Sequence, residues 1–314
     1  MSETPARDQR TVAEGAGKDR ATALWPRITL VTAVLNAGRY IEQTLQSVIG
    51  QEYPNLEYLV VDGGSTDDTL EIIRKYERHL TWWVSEPDRG MYDALNKGFA
   101  RSSGEIMGWI SANDLLHIGA LTAVGSVFRA FPEVEWVTGL RACASQDGIT
   151  IWVGKLNRWS RMRFLAGANR YIPQESTFWR RCLWDRAGGC VDASRRKESD
   201  FELWVRFFRH AQLYSVNCLL GAFRYHAGSV SLEDVADYAR LCDEVVEAEL
   251  DTLKRGNLLR AFRRISAAMG RNRWSRSLWD RTVMNRLYSR VGSDWAPFIE
   301  YSREAGWVMI KGQN

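Results

Sequence analysis

The sequence predicts an α/β fold: a mostly parallel sheet flanked by helices, followed by a C-terminal helical extension. Three observations carry this. Short apolar, β-branched runs alternate with stretches of helical period from residue 28 onward, the pattern of strand–helix units in a three-layer sheet. Those runs end on a carboxylate or lead into a polar, Gly-rich turn, where open α/β sheets place their ligands. Beyond residue 231 the strand-like runs give way to a capped helical pattern and then to dense cations interleaved with apolar residues.

The bulk properties agree. A chain of 314 residues with 45% apolar content and 14 tryptophans can bury one medium domain plus an appendage. Its five cysteines are scattered, odd in number and without metal-ligand or redox spacing. That reads as reduced core thiols in a cytoplasmic protein. No run approaches the ~18–20 apolar residues of a membrane-spanning helix. The N-terminus is polar and charged, without the apolar stretch of a secretory signal.

The elements follow in order. Residues 1–26 lack periodicity and read as a disordered tail. Ile28–Leu35 is a buried strand, broken by Asn36-Ala37-Gly38; Ile41, Leu45, Val48 and Ile49 then fall at helical period. Leu56–Asp62 is the next strand. Ser65 and Asp68 resemble a capping box opening a helix through Ile72 and Ile73. Thr81–Val84 is a short strand. Met91, Leu95 and Phe99 form a helical stripe, and Ile106–Ile110 is a further strand. Leu121–Phe131 is helical. Glu135–Thr138, Ile149–Val153 and Ser176–Trp179 are short strands among basic loops. Asp200 precedes the helical face Phe201, Trp204, Val205 and Phe208. Leu213–Tyr225 makes one or two strands, and Ser231 and Asp234 cap a long helix to about Leu253. Residues 27–231 thus form the main domain and 232–314 a basic helical extension. From Lys254 to Arg290 eleven Lys/Arg face a single acid, Asp280, among Trp274, Leu278, Trp279, Val283, Met284 and Leu287.

Four carboxylates stand where chemistry is expected. Asp62 ends a strand, and Gly63-Gly64 after it lets a flat ring approach the backbone. It either accepts hydrogen bonds from a uracil-like N–H or a ribose hydroxyl, or merely begins a turn. Asp88 sits in the loop before a helix whose solvated face carries Asp93, Asn96 and Lys97. Asp114 ends Ser111-Ala112-Asn113-Asp114 after a buried strand. One carboxylate with diphosphate oxygens can hold Mg²⁺ or Mn²⁺, though an Asn-Asp turn capping the next helix is the plainer reading. Asp200 stands at a helix N-cap position, where free N–H groups stabilise the anion. It is either a cap or a base that stays ionised until it takes a proton. No G-x-G-x-x-G or Walker sequence is present, which removes the main support for dinucleotide and P-loop readings.

Three long stretches, Val-Val-Asp-Gly-Gly-Ser-Thr-Asp-Asp-Thr (60–69), Ser-Glu-Pro-Asp-Arg-Gly-Met-Tyr-Asp-Ala-Leu-Asn-Lys-Gly (85–98) and Gly-Glu-Ile-Met-Gly-Trp-Ile-Ser-Ala-Asn-Asp (104–114), resemble the family 2 inverting glycosyltransferases of GT-A fold. The likeness is to the bacterial branch that builds colanic acid, capsule and O-antigen. It continues through Pro-Gln-Glu-Ser-Thr-Phe-Trp-Arg-Arg (173–181), Ser-Asp-Phe-Glu-Leu-Trp-Val-Arg-Phe (199–207) and Phe-Arg-Tyr-His-Ala-Gly-Ser-Val-Ser (223–231), covering roughly residues 27–231.

The resemblance implies a nucleotide-diphosphate-sugar donor, a divalent metal (Mg²⁺ or Mn²⁺) and a saccharide or lipid-linked saccharide acceptor. It implies that Asp200 is the catalytic base. On the donor side it implies Thr32, Val34, Asn36, Asp62, Gly64, Ser65, Asp88, Gly90, Asp93, Asn96, Lys97 and Asn113. Asp114 and His226 fall on the metal or diphosphate, and Gln174, Glu175, Ser176 and Trp204 on the acceptor side. Members commonly read Asn-Ser-Asp-Asp where this chain has Ser111-Ala112-Asn113-Asp114, so only one acid remains, and Glu175 stands where a smaller or neutral residue is usual. The thinned acidic motif leaves a non-catalytic partner in a polysaccharide assembly as an alternative. A nucleotidyltransferase is weaker, because Asn36-Ala37-Gly38-Arg39 is too slight a phosphate loop. The basic C-terminal segment is either a solvated helical face or a dock for anionic lipid headgroups on the inner face of the membrane. Nucleic acid is not expected as a partner, since no recognition module is visible.

Overall fold

The computed structural model describes residues 25–167, 171–195, 197–226, 235–269 and 295–311. The strands are β1 Ile28–Val34, β2 Leu56–Asp62, β3 Trp82–Ser85, β4 Ile106–Trp109, β5 Leu115–Leu116, β6 Trp136–Leu140, β7 Ala142–Ala144, β8 Thr150–Val153, β9 Thr177–Arg180, β10 Tyr214–Leu219, β11 Gly221–Arg224, β12 Phe298–Ser302 and β13 Gly306–Ile310. The helices are α1 Gly38–Ile49, α2 Thr69–Tyr76, α3 Met91–Arg101, α4 Ala120–Ala130, α5 Arg161–Leu165, α6 Arg181–Arg186, α7 Ser199–His210, α8 Val235–Thr252 and α9 Gly256–Met269.

A nine-stranded sheet in the order β13-β12-β10-β6-β9-β4-β1-β2-β3 forms the middle layer. All its strands run in one direction except β9 and β13. β1 is buried along its whole length, as a strand covered on both faces must be. Its alternate residues divide between the faces. Val31 joins Leu59, Val61, Leu95 and Phe99 on the side of α3 and α7. Leu30 joins Ile41, Leu45, Val60, Ile73 and Val124 on the side of α1, α2 and α4. Many of the tryptophans condense on the first side, where Trp204 stacks on Trp109 at 5.6 Å and on Trp136 at 5.5 Å. A small second sheet, β5-β11-β7-β8, stands beside the parallel strand ends.

Several expectations change. Ser65 and Asp68 form no capping box: α2 begins at Thr69, and Asp68 makes no side-chain cap bond. Ser65 is engaged instead by Asp62 and Asn36. Met91 is exposed, and the buried face of α3 is Tyr92, Leu95 and Phe99. Trp25 and Pro26 are not loose tail: Tyr53 donates to the Pro26 carbonyl at 2.7 Å and Asn55 to the Trp25 carbonyl at 3.0 Å.

The C-terminal stretch also differs from an all-helical extension. Residues 298–310 form a hairpin that pairs β12 parallel to β10 and so extends the main sheet. Ile299 is fully buried there, and the Trp307 indole donates to Ser126 on α4 at 2.9 Å. β13 pairs antiparallel with β12 and forms the outer edge of the sheet. In α9, Arg260 and Arg263 are bound by Glu247, Asp251 and Asp243, so part of the basic run is neutralised within the chain. Ser231, Asp234 and the stretch containing Trp274 to Leu287 lie outside the described residues.

Candidate active site

Two loops at the ends of β1 and β2 are knotted together by side chains. Asn36 takes a left-handed conformation (φ 49°), which asparagine tolerates better than most residues. Its backbone N–H donates to Ser65 Oγ at 2.8 Å, and its Oδ1 accepts from the Thr66 N–H at 2.8 Å. Asp62 is fully buried. It accepts from the N–H groups of Gly64 (3.2 Å) and Ser65 (3.0 Å), from Ser85 Oγ at 2.6 Å and from Ser65 Oγ. Asp62 therefore holds the Gly63–Ser65 loop in shape, with its own oxygens occupied. Gly64 has a φ of +88° that this turn requires. Thr32 is buried and bonded to the Tyr58 hydroxyl at 3.0 Å, and Val34 is buried beside the same loops.

The next loop closes over that turn. Asp88 lies so near Gly63 that a Cβ there would meet its Oδ2 at 2.5 Å. Asp88 Oδ1 accepts from the Gly90 N–H at 2.7 Å. Asp93 pairs with Arg89 at 2.8 Å. Lys97 is not simply solvated: it ties down the preceding loop through Glu86 (2.9 Å) and the Pro87 carbonyl (3.1 Å). Asn96 both donates to and accepts from the backbone of Val191, which tethers the segment leading to α7.

The third part of the site is acidic and dry. Asp114 and Glu175 are buried, and Asp200 is half-buried with its Oδ1 shielded from water and unbonded among the described residues. Asp200 is not an N-cap; it occupies the first turn of α7, behind Ser199. Burial pushes its carboxyl up to about 6, and the N–H groups of Phe201 and of Asp200 itself pull it back down. Burial also raises Asp114, which accepts from the Arg224 N–H at 2.9 Å. Glu175 is raised by burial and then by the charge of Asp114, and Arg141 opposes the rise. Its Oε1 has no partner among the described residues. Three carboxyls in one field cannot all ionise cheaply without a cation or ligand.

Gln174 donates to the Trp109 carbonyl at 2.5 Å, and Ser176 exchanges hydrogen bonds with the backbone of Gly221. Both hold Glu175 in its turn. Trp204 is corrected: it is buried in the tryptophan stack, where it supports α7 from behind and presents no acceptor surface.

The sequence reading passed over three residues of this region. Arg224 is buried, donates to the Asn113 carbonyl (2.6 Å), Gln43 (2.7 Å) and the Gln146 carbonyl (2.7 Å), and lies over Tyr40. Arg141 and Tyr171 stand near Glu175. The position of Arg224 two residues before His226, at the end of an apolar strand, was the available signal; nothing local marked the other two.

Asn113 Nδ2 lies 3.1 Å from His226 Nε2, and the His226 ring packs on Tyr40 at 4.9 Å. The side chain of Asn113, next to Asp114 in the chain, is thus adjacent to His226. Among the described residues no cluster of three or more His, Cys, Asp or Glu could hold a metal ion unaided. The donor set fits a hard divalent cation only if a ligand adds oxygens of its own, as a diphosphate would.

Residues 29–183 match the model of Glycosyl transferase family 2. Over these residues, just under half of the chain, it is similar to the family 2 glycosyltransferases. An uncharacterised glycosyltransferase of Mycobacterium tuberculosis strain H37Rv is 28% identical over 207 residues, 63% of this chain and 75% of the relative. The poly-beta-1,6-N-acetyl-D-glucosamine synthase of Staphylococcus epidermidis is 32% identical over 114 residues, 36% of this chain and 28% of the synthase. Among solved structures, S. aureus TarS 1–349 in complex with UDP-GlcNAc matches with TM-score 0.59 at 15% identity, over 73% of this chain and 67% of that one. The mannosyltransferase PcManGT of Pyrobaculum calidifontis, in complex with GDP-Man and Mn2+, matches with TM-score 0.51 at 19% identity, over 89% and 90%. This chain spans 40% of the longer TarS chain. The fold is GT-A and the protein is a glycosyltransferase. The family match ends at residue 183, before α7, so Asp200 rests on its geometry alone. No helix of the described residues is long and apolar enough to cross a membrane.

Proposed function

We propose that the glycosyltransferase moves a sugar from a nucleotide-diphosphate sugar to a hydroxyl of a saccharide acceptor, with inversion, in the assembly of a surface polysaccharide. The observation that carries the reading is Asp200. Its Oδ1 is shielded and unpartnered, in the first turn of α7, beside Glu175 and Asp114. A carboxylate so held is a base waiting for a proton.

Asp200 takes the proton of the acceptor hydroxyl. The hydroxyl oxygen then bonds the anomeric carbon from the face opposite the leaving diphosphate, and the carbon–oxygen bond to the diphosphate breaks. The nucleoside lies against the Gly63–Ser65 loop and Asp88, and Asp62 acts through the loop it organises. Asn113, Asp114 and His226 would hold a divalent cation together with the diphosphate. Bound there, Mg²⁺ or Mn²⁺ offsets the charge of the departing nucleoside diphosphate. Support for the donor class comes from the UDP-GlcNAc and GDP-Man bound by the structural neighbours. Support for polysaccharide assembly comes from the Staphylococcus relative. A lipid-linked acceptor at the inner face of the membrane agrees with this role.

Incubation with Mn²⁺, a saccharide acceptor panel and UDP-, GDP- and dTDP-sugars should release nucleotide. Asp200→Asn should lower turnover by about 10²–10⁴-fold while donor binding, read by calorimetry, is retained. Full activity in that variant sinks the base assignment. Absence of donor binding in the native protein would favour a non-catalytic partner in an assembly complex.

A further inference from the structure

Arg141, which the transfer step leaves unused, lies over two aromatic rings. Its guanidinium carbon lies 4.0 Å from the Tyr171 ring centre and 5.6 Å from that of Trp152. The side chain makes no hydrogen bond or ion pair among the described residues, and its Nε is buried without an acceptor. A buried donor without an acceptor is costly, so the arrangement is poised for a partner that the described residues do not supply. Stacking covers the faces of a guanidinium and leaves its edge, a fork of N–H groups matched to carboxylate or phosphate oxygens.

The surroundings are built for a ring. Trp152 is 49% exposed and Tyr171 and Tyr225 are each 38% exposed, an open aromatic surface. Gly154 makes this possible, because a Cβ there would meet the Trp152 ring at 2.9 Å. Position separates this surface from the diphosphate. In the small sheet β5 follows Asp114, β11 carries Arg224, and Arg141 directly precedes β7, beyond β11. That is roughly two strand spacings, ~10 Å, from β5, on the side of Glu175.

We propose that Arg141, Trp152 and Tyr171 form an acceptor subsite for a saccharide bearing an oxyanion, with a sugar ring on Trp152 and its carboxylate or phosphate on the edge of Arg141. This rests on the reading of Asp200 as the base of sugar transfer. The probes are phenyl β-D-glucuronide, phenyl β-D-glucoside and phenyl β-D-glucoside 6-phosphate, with binding to the full chain read by saturation-transfer NMR and calorimetry rather than by turnover. At least one anionic probe should bind about tenfold more tightly than the neutral one, a difference of about 1.4 kcal/mol, and which of them does so identifies the anion. Arg141→Gln should abolish the preference and Arg141→Lys should restore only part of it. Trp152→Ser, at an exposed position that keeps the fold, should weaken all three probes. Equal binding of the probes, or a preference that survives Arg141→Gln, overturns the subsite. So does loss of UDP and GDP binding in Arg141→Gln, which would move the residue to the donor. If native protein shows the anion preference but binds no nucleotide sugar, the transfer reading fails and the subsite stands.

Discussion

At the scale of single residues, the site works by withholding partners. Asp62 is saturated with internal donors and behaves as scaffold, whereas Asp200, Glu175 and Arg141 each keep a buried polar atom unpaired among the described residues. Such atoms are expensive in a finished core and useful where a ligand will complete them. The raised carboxyl of Asp200 has two consequences of opposite sense. As the proposed base it must be ionised, so kcat/KM should fall about tenfold per pH unit below about 6. Stability runs the other way. The folded state holds the Asp200 proton to a higher pH than the unfolded chain, whose carboxyl titrates near 3.9. Stability from this group is therefore full below pH ~4 and declines as pH rises toward about 6. Asp200→Asn should accordingly melt higher than the native protein at pH 8 but not at pH 4, by about 2–4 °C for each kcal/mol gained. Thermal melts across that range check it, and a difference independent of pH would contradict it.

At the scale of elements, the short turn Gln174–Ser176 decides where Glu175 points, and β11 decides where the turn sits. Gly221 opens β11, and a Cβ on it would lie 2.2 Å from the Glu175 carbonyl oxygen. Backbone cannot yield as a flexible side chain can. Gly221→Ala should cost about 1–3 kcal/mol or more and should lower turnover with it, because Glu175 and Arg224 both shift. Chemical denaturation and nucleotide-release assays measure the two effects. An active variant of native stability would mean that the turn is loosely held. The same element explains what sequence could and could not expose: strand pattern located 213–225, but the approach of Gly221 to residue 175 has no local signature.

At the scale of the whole molecule, the C-terminal hairpin joins the end of the chain to the main sheet. β12 covers the edge of β10, Ala296 donates to the Trp159 carbonyl at 2.8 Å, and Arg158 donates to the carbonyls of Trp295 and Ala296. Deleting residues 295–314 should leave β10 as an exposed edge. It should lower the melting temperature by about 5 °C or more and promote aggregation, both visible in a melt followed by light scattering. A truncated chain with native melting would show the hairpin to be dispensable. Membrane binding by the basic segment is therefore better tested by neutralising its arginines than by cutting it off, since the cut would also remove part of the sheet.

The local pattern of the chain determined its α/β class, the alternation of its longer strands and helices from residue 28 to residue 131, and the stretches 56–114 and 199–207 that carry the carboxylates; it did not mark β5, β7, α5 or α6. These follow from periodicity and turn chemistry, which act between near neighbours in sequence. Tertiary structure alone decided that Asp62 is occupied, that Asn96 is a tether, that Trp204 is core and that residues 298–310 are strands. It also brought Asp114, Glu175 and Asp200 into one field and laid Arg141 over Trp152 and Tyr171. Each of those outcomes depends on which distant segments the sheet brings together, and on the desolvation that follows, neither of which a local pattern encodes.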